Sequence, residues 1–568
     1  MLTPFVGSNQ PPPQGDQFLY EKNYFFFAAG ILPPPVGEPD TVAATPAAPS
    51  RTGGAALLVA AGILLSRLAG LVRQRVLGHY LGTSHAADAY TAALRIPNFL
   101  QNLLGEGVLS ASFIPVYAAL RAKGEDAQAR AVAGAVAGLL SVVTGAFALL
   151  GVLATPVLLD AIAPGFKGET RDLAITLVRI FFPGIALLVL SAFCIGVLNS
   201  HRKFFLSYAA PVVWSGAIIA ALILGARAGS DQPRLAVWAA WGAVAGGALQ
   251  LAVQAPQVLR LLGPGTRLSL GRGDAHVAEV VRNFLPVVAG RGVVQISAYV
   301  DTLIASWLPS GTVAAFGYAQ IIYTLPVSLF GMAVSAASLP SMSADAEVRD
   351  KLRAQLEDGL RSIAFPVVPS VAAFLALGDV ICAALFQTGA FHGRDVRYVW
   401  LILAGSTVGL LAATLGRLYS SAFYALRDTR TPLRYAVLRV ALTAGLGVFC
   451  GLYLPGLLHI DARFGAAGLT ASAGVAGWIE FALLRRGIAR RIGPAHLPPG
   501  LLPRLWGAAI LATLAALGAK LVTAPLPPVP QAVVVLTIFG GVYLGATLAL
   551  GVREAGEVLA RARRLLPR

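Results

Sequence analysis

Charge is what this sequence has least of. Only 12% of its 568 residues are Asp, Glu, Lys or Arg, and 56% are hydrophobic. Soluble globular proteins carry roughly 25% charged residues. With a mean hydropathy of +0.71, water cannot solvate such a surface, so the solvent for most of the chain is lipid. Cysteine is almost missing: Cys194, Cys382 and Cys450 lie far apart, with neither metal-ligand spacing nor a disulfide framework. The seven histidines are scattered, so no metal or cofactor site is expected. There is no GxxxxGK[ST] phosphate loop and no paired-carboxylate signature. No catalytic residue is assigned, and the expectation is a protein that is not an enzyme. Any energy source must be an ion gradient, the membrane potential or the supply of substrate.

What is present is a series of long apolar runs. About fourteen are expected, near 55–79, 87–118, 131–156, 173–198, 206–228, 235–259, 280–307, 312–340, 360–386, 397–424, 433–456, 464–484, 502–523 and 530–551. Each has the ~20 residues a helix needs to cross a bilayer. The expected fold is therefore all-α and polytopic. Residues 1–50 read as a disordered Pro-rich extension, and 553–568 as a basic cytoplasmic tail.

The net charge of +17 does not form a nucleic-acid stripe, and no nucleic-acid partner is expected. The basic residues gather in loops after even-numbered spans: Arg121, Lys123 and Arg130; Arg202 and Lys203; Arg260, Arg267 and Arg272; Arg349, Lys351 and Arg353; Arg427, Arg430 and Arg434; Arg485, Arg486, Arg490 and Arg491. Odd-numbered loops are poorer in Lys and Arg, which places both termini in the cytoplasm. The second and eighth spans each run from one Pro through small residues to another, Pro97 to Pro115 and Pro326 to Pro340. Basic, aromatic junctions recur six spans apart, at 196–211 and 422–436. Two parallel six-helix lobes follow, 51–262 and 276–492, related by a pseudo-two-fold axis along the membrane normal, with helices at 500–552 outside the repeat.

Charges inside spans cost about 2.5–3.5 kcal/mol each at mid-bilayer, so they face a cavity or a partner. The first span carries Arg67, Arg73 and Arg75. Arg67 is expected to line a cavity, and Arg75 to snorkel to an interface. The second opens with Asp88 and continues through Arg95, Asn98, Gln101, Asn102 and Glu106, around Pro97, Gly105 and Gly107. The seventh holds Arg291 between two glycines, and Asp301, for which Arg439 is an expected ion-pair partner. Glu480 is expected to pair with Arg485. Guanidinium groups from both lobes around one cavity suit phosphate or pyrophosphate, because the planar fork bonds two oxygens at once.

The block "SRLAGLVRQRVLGHYLGTSHAADAYTAALRIPNFLQNLLGEGVLSASFIPVY" (66–117) resembles the MurJ (MviN) family of lipid II flippases, in the MOP transporter superfamily. "GVLNSHRKFFLSYAAP", "LFQTGAF" and "FYALRDTRTP" match it in order. The resemblance covers about 55–555. It implies a MATE-like fold of fourteen helices in two lobes with a V-shaped cavity, and a lipid-tail groove on the last two helices. It implies alternating-access transfer of undecaprenyl-pyrophosphate-linked disaccharide-pentapeptide across the bacterial inner membrane, for peptidoglycan synthesis and cell shape. The implied partners are lipid II, membrane lipids and cell-wall synthesis machinery. Family cavity residues carry over onto Arg67, Arg73 and Asp88. Two family arginines are missing, replaced by Gln101 and Ile321, and Arg291 with Arg95 is the expected substitute. Some members resemble sodium binders through an acidic residue at the position of Asp301. Here Thr443 and Gly447 stand where asparagines are expected, so Arg439 is expected in the cation's place. The rival readings are another MOP exporter, for O-antigen-like lipid-linked sugars or for drugs, and a transport-inactive scaffold of cell-wall synthesis.

Overall fold

The computed structural model describes residues 52–565, and their side chains outside 52–61, 63, 289–298 and 561–565. The expected extension at 1–50 lies outside the described residues. Among those described there is helix and connecting turn, with no strand. This follows from lipid as solvent, where a backbone must bond within its own segment.

In order the helices are α1 (Thr52–Leu81), α2 (His85–Leu104), α3 (Glu106–Ala122), α4 (Asp126–Leu153), α5 (Thr155–Ile162), α6 (Gly168–Ser200), α7 (Phe204–Arg227) and α8 (Gln232–Leu262). Then come α9 (Ala275–Ser306), α10 (Thr312–Pro326), α11 (Ala333–Ala344), α12 (Arg349–Ala376), α13 (Gly378–Phe386), α14 (Gly393–Thr407) and α15 (Leu410–Ala425). The last are α16 (Arg430–Val448), α17 (Leu454–Leu457), α18 (Phe464–Ile492), α19 (Leu501–Val522), α20 (Pro528–Ala549) and α21 (Arg553–Leu565).

Among the described residues, eleven helices, counting α2–α3 and similar joined pairs once, are long and apolar enough to cross a membrane. The pair α14–α15, bent by 43°, makes a twelfth. The expected count of fourteen is not reached on that criterion. The two spans left uncounted are α1 and α9, of 30 and 32 residues, parts of which lie outside the described side chains.

The two Pro-to-Pro spans are each interrupted near their middle. The second breaks at Gly105, whose backbone is extended (φ −84°, ψ −158°) between α2 and α3. A Cβ there would lie 2.3 Å from the Gln101 carbonyl. The eighth passes through a π-helical turn, Val327–Met332, directly after Pro326. Proline removes a backbone donor, and the wider turn takes up the mismatch.

Helices α1–α8 pack chiefly among themselves: α7 and α6 on α8, α1 on α7, and α2 and α4 on α6. Helices α10–α18 do likewise around α18 and α15, and α19 and α20 pair against α12 and α13. Small residues allow the closest approach: a Cβ on Gly409 would lie 2.5 Å from the Cα of Gly474. Helix α9 crosses between the groups. Near its start Val287 packs on Val108 and Ala111 of α3. Near its end Ile304 lies against Gly447 and Gly451. Large apolar side chains left exposed, such as Leu149, Leu150 and Leu153 on α4 and Leu511 and Leu514 on α19, suit a lipid-facing surface.

Candidate functional site

The groups α1–α8 and α10–α18 meet at one end of the molecule, where α1 finishes and α2 begins, here termed the upper end. Four side chains of α1, α2 and the turn between them make that junction. Arg75 donates to the carbonyls of Ala384 (2.5 Å) and Leu385 (2.9 Å) at the end of α13. It therefore reaches across the groups, where an interfacial position is expected from sequence. His79 Nδ1 lies 2.9 Å from Thr388 Oγ1, and the Ala390 amide donates to the His79 carbonyl at 2.7 Å. Thr83 donates to Asp395 Oδ1 at 2.5 Å. Asp395 is held ready for it, because its other oxygen accepts the His392 amide at the start of α14.

Asp88 completes the seal. It is 3% exposed and accepts the Gly311 amide at 2.5 Å and the Ala314 amide at 2.8 Å. These are free N–H groups at the start of α10, so a carboxylate of one group satisfies the helix end of the other. The approach is close: a Cβ on Gly311 (φ +92°) would sit 2.3 Å from the Thr83 carbonyl, and one on Gly82 (φ +57°) 2.7 Å from that of Ala390.

Two turns below, Arg95 donates to Thr302 and lies 5.7 Å from the Phe316 ring centre, while Tyr299 donates to its carbonyl at 2.9 Å. Thus Arg95 bridges α2 to α9 and α10. Arg73 lies over the Trp214 ring of α7 at 4.5 Å. Arg67 is exposed. The side chain of Arg291 lies outside the described residues, so its expected replacement of the missing arginines is not placed.

Below the seal two helices show narrow polar stripes. Along α2 and α3, Thr91, Arg95, Asn98, Asn102 and Glu106 share a face, and exposure rises from partial at Thr91 to open at Asn102 and Glu106. Gln101 is half-buried beside them. On α15 every neighbour of Arg417 is buried except the stripe Ala413, Arg417, Ser420 and Tyr424. Lipid-facing stripes are broad and apolar; a narrow one carrying an exposed guanidinium faces water. Arg417 was missed in the sequence reading. Its signal was there, a single charge within the apolar run 410–425, the same signal that marks Arg67.

Two expected ion pairs are corrected. Arg439 lies 3.1 Å from Glu480, not in a pair with Asp301. Glu480 does not pair with Arg485, which instead meets His496 Nδ1 at 2.7 Å. Residues five apart on a helix stand about 140° around it, too far to meet. Asp301 Oδ1 is buried without a hydrogen bond, and the charges facing it are Arg95 first and Arg439 second. Thr443 stands one turn past Arg439, half-buried. Among the described residues no cluster of three His, Cys, Asp or Glu is placed to hold a metal ion. Arg417 sits near the Arg439–Glu480 pair and Tyr323. Since that pair neutralises itself, the Arg417 charge is left in excess beside it.

The model for the family "Lipid II flippase MurJ" matches residues 77–529. This chain belongs to the MurJ family. A "Lipid II flippase MurJ" of Burkholderia cenocepacia is 32% identical over 523 residues, covering 88% of this chain and 98% of the relative. Among solved structures, a "Lipid II flippase MurJ, inward closed conformation" aligns at a TM-score of 0.69 and 23% identity, covering 87% of this chain and 98% of that one. An inward-facing multidrug MATE transporter of the MOP superfamily aligns at 0.61 and 18% identity, over 77% and 98%. Those two likenesses establish the shared fold. The family assignment agrees with a chain that moves a substrate across a membrane and makes or breaks no bond.

Proposed function

We propose that this MurJ-family chain flips lipid II from the cytoplasmic to the outer leaflet of the inner membrane by alternating access. The observation that carries the reading is the asymmetry of the contact between the two groups. They are sealed at the upper end by Arg75, His79, Thr83 and Asp88. Toward the lower end α9 is the main link, with Val287 on α3. The polar stripes of α2–α3 and α15 lie below the seal. Loop charge assigns the lower end to the cytoplasm, with both termini there. In this reading the sealed upper end faces outward and the polar stripes below it face the cytoplasm.

Residues 51–262 and 276–492 rock against each other, so that the seal at the upper end parts as the lower end closes. Arg67 and Arg417 are the free guanidinium groups that draw in the pyrophosphate. Arg73 and Arg95, held by Trp214 and Thr302, position α1 and α2 and become ligands only on a change of partner. The polyprenyl tail stays in lipid beside α19 and α20. Substrate favours closure of the lower end only by its differential affinity for the two states. The membrane potential, worth about 2.3 kcal/mol per charge at 100 mV, returns the empty cationic cavity. Cell-wall synthesis enzymes are the expected consumers of the product.

Expression in a flippase-depleted bacterium tests the reading, with lipid II exposed at the outer face as readout. Restored growth and restored exposure are expected. A well-inserted protein that restores neither would overturn it.

A further inference from the structure

A second polar cavity lies at the upper end, away from the space between the groups. Its volume is about 340 Å³, within the range of ligand sites, and it opens outward between α13, α14, α19 and α20. Its polar lining is Asp379, Gln387, Arg394, Arg397, Lys520 and Gln531. On the inner wall Lys520 Nζ donates to Asp379 Oδ2 at 2.6 Å, so these two charges cancel. Asp379 Oδ1 is buried and receives no hydrogen bond.

On the opposite wall Arg394 and Arg397 stand three residues apart at the start of α14, on one face. Arg394 is 77% exposed and only 4.0 Å from Asp395, which is already bonded to Thr83 and His392. Arg397 is exposed, with no ion pair among the described residues. The first turn of a helix is its positive end, where two cations are disfavoured unless an anion joins them. The cavity therefore presents the exposed Arg394 and Arg397 guanidinium groups on one side, with only the distant Asp395 contact against them, and the self-neutralised Lys520–Asp379 pair on the other. Directly beside Lys520, Leu521 and Val522 are 79% and 81% exposed, an apolar surface that suits acyl chains.

We propose that this cavity binds the phosphate of an anionic lipid. Arg394 and Arg397 bond the phosphate oxygens. The occupant is an outer-leaflet lipid, which rests on the orientation proposed above. The site shares α13 and the 387–392 turn with the seal, since Arg75 bonds the carbonyls of Ala384 and Leu385 and His79 meets Thr388. Its occupancy thus braces the surface on which α1 closes.

The test uses the purified full-length protein in detergent, with phosphatidylglycerol, phosphatidylcholine or inorganic phosphate added. Retained lipid is read by native mass spectrometry and stability by thermal unfolding. Phosphatidylglycerol is expected to leave one lipid bound and raise Tm by about 2–4 °C, with no such effect of phosphatidylcholine. R394Q/R397Q is expected to weaken retention roughly ten-fold while leaving the lipid-free Tm unchanged. Inorganic phosphate protecting the parent but not the variant would support the phosphate chemistry and move its source to solution. Equal protection by both lipids, or equal retention by parent and double variant, would overturn the site. Detergent solution has no sides, so this failure is distinguishable from failure of the orientation or of flipping.

Discussion

Asp88 accepts the amide N–H of Ala314 at 2.8 Å, so a carboxylate near the start of α2 caps a helix belonging to the other half of the molecule. The bond exists only while the two halves touch at this end. Charge-assisted bonds of this kind contribute about 1.5–3 kcal/mol each, which is enough to set the balance between two conformations. Asp88→Ala is therefore expected to populate the state open at the upper end. A cysteine at Val313, 2% exposed in the sealed structure, should react with an impermeant thiol reagent from outside at least several-fold faster in that variant. An unchanged rate would show that the seal does not depend on Asp88.

Gly82 offers a purely steric version of the same experiment. Its φ of +57° makes any side chain strained in this structure, and a Cβ there also lies 2.7 Å from the Ala390 carbonyl across the closed seal. The left-handed backbone costs about 1–2 kcal/mol and acts on overall stability. The clash adds a further penalty to one state alone. Gly82→Ala should lower Tm modestly and also raise outside labelling of the Val313 cysteine. A lower Tm without increased labelling would separate fold strain from seal strain.

Arg417 and Arg439 are neighbours with opposite expectations. Arg417 is exposed and hydrogen-bonds nothing among the described residues, so Arg417→Ala should leave Tm within the range of a surface change, about ±0.5 kcal/mol. Its loss should nevertheless cut lipid II exposure at the outer face by roughly ten-fold or more, the worth of one charge-assisted contact. Arg439→Ala strands Glu480, whose side chain is only 20% exposed. It should destabilise by about 1–3 kcal/mol, and adding Glu480→Gln should recover part of that loss. Transport unaffected by Arg417→Ala would remove this residue from the substrate path.

At the lower end His201 lies between Tyr117 (2.9 Å from Nε2) and Arg121 (3.1 Å from Nδ1). Burial first, and then the charges of Arg121 and Lys203, hold its pKa below the ordinary histidine value, with Asp126 opposing. The folded protein thus prefers the neutral ring. That preference is fully present above about pH 6.5 and is lost as pH falls through the lowered value, when protonation sets a cation beside Arg121. Tm should fall on going from pH 7.5 to 5, and His201→Gln should flatten that slope. A parent and variant with parallel pH profiles would remove His201 from the effect.

Much of this molecule is legible in the residue order because lipid imposes a simple rule. Runs of apolar residues must become helices, and a charge within a run must find water or a partner. That rule located the spans, marked the break at Gly105 through its glycines and prolines, and drew attention to Arg73, Asp88 and Arg95. It gave no partners. Trp214 under Arg73, Gly311 and Ala314 above Asp88, and Thr302 beside Arg95 lie about 140 to 230 residues away in the chain. The pairings of Glu480 and Asp301 were misjudged for the same reason: proximity in sequence, or a shared charge rule, does not say which face of a helix meets which neighbour.

The sequence by itself determined that the chain is a bundle of membrane helices with polar side chains reserved for its interior. Hydropathy is a sum over residues and needs no geometry. Only the tertiary structure decided which of those polar groups close the upper end, which stand open below it, and which, like Arg394 and Arg397, assemble elsewhere. The reason is angular. A rotation of 100° per residue turns neighbours along the chain to different faces, so function at a face depends on how helices distant in sequence are turned toward one another.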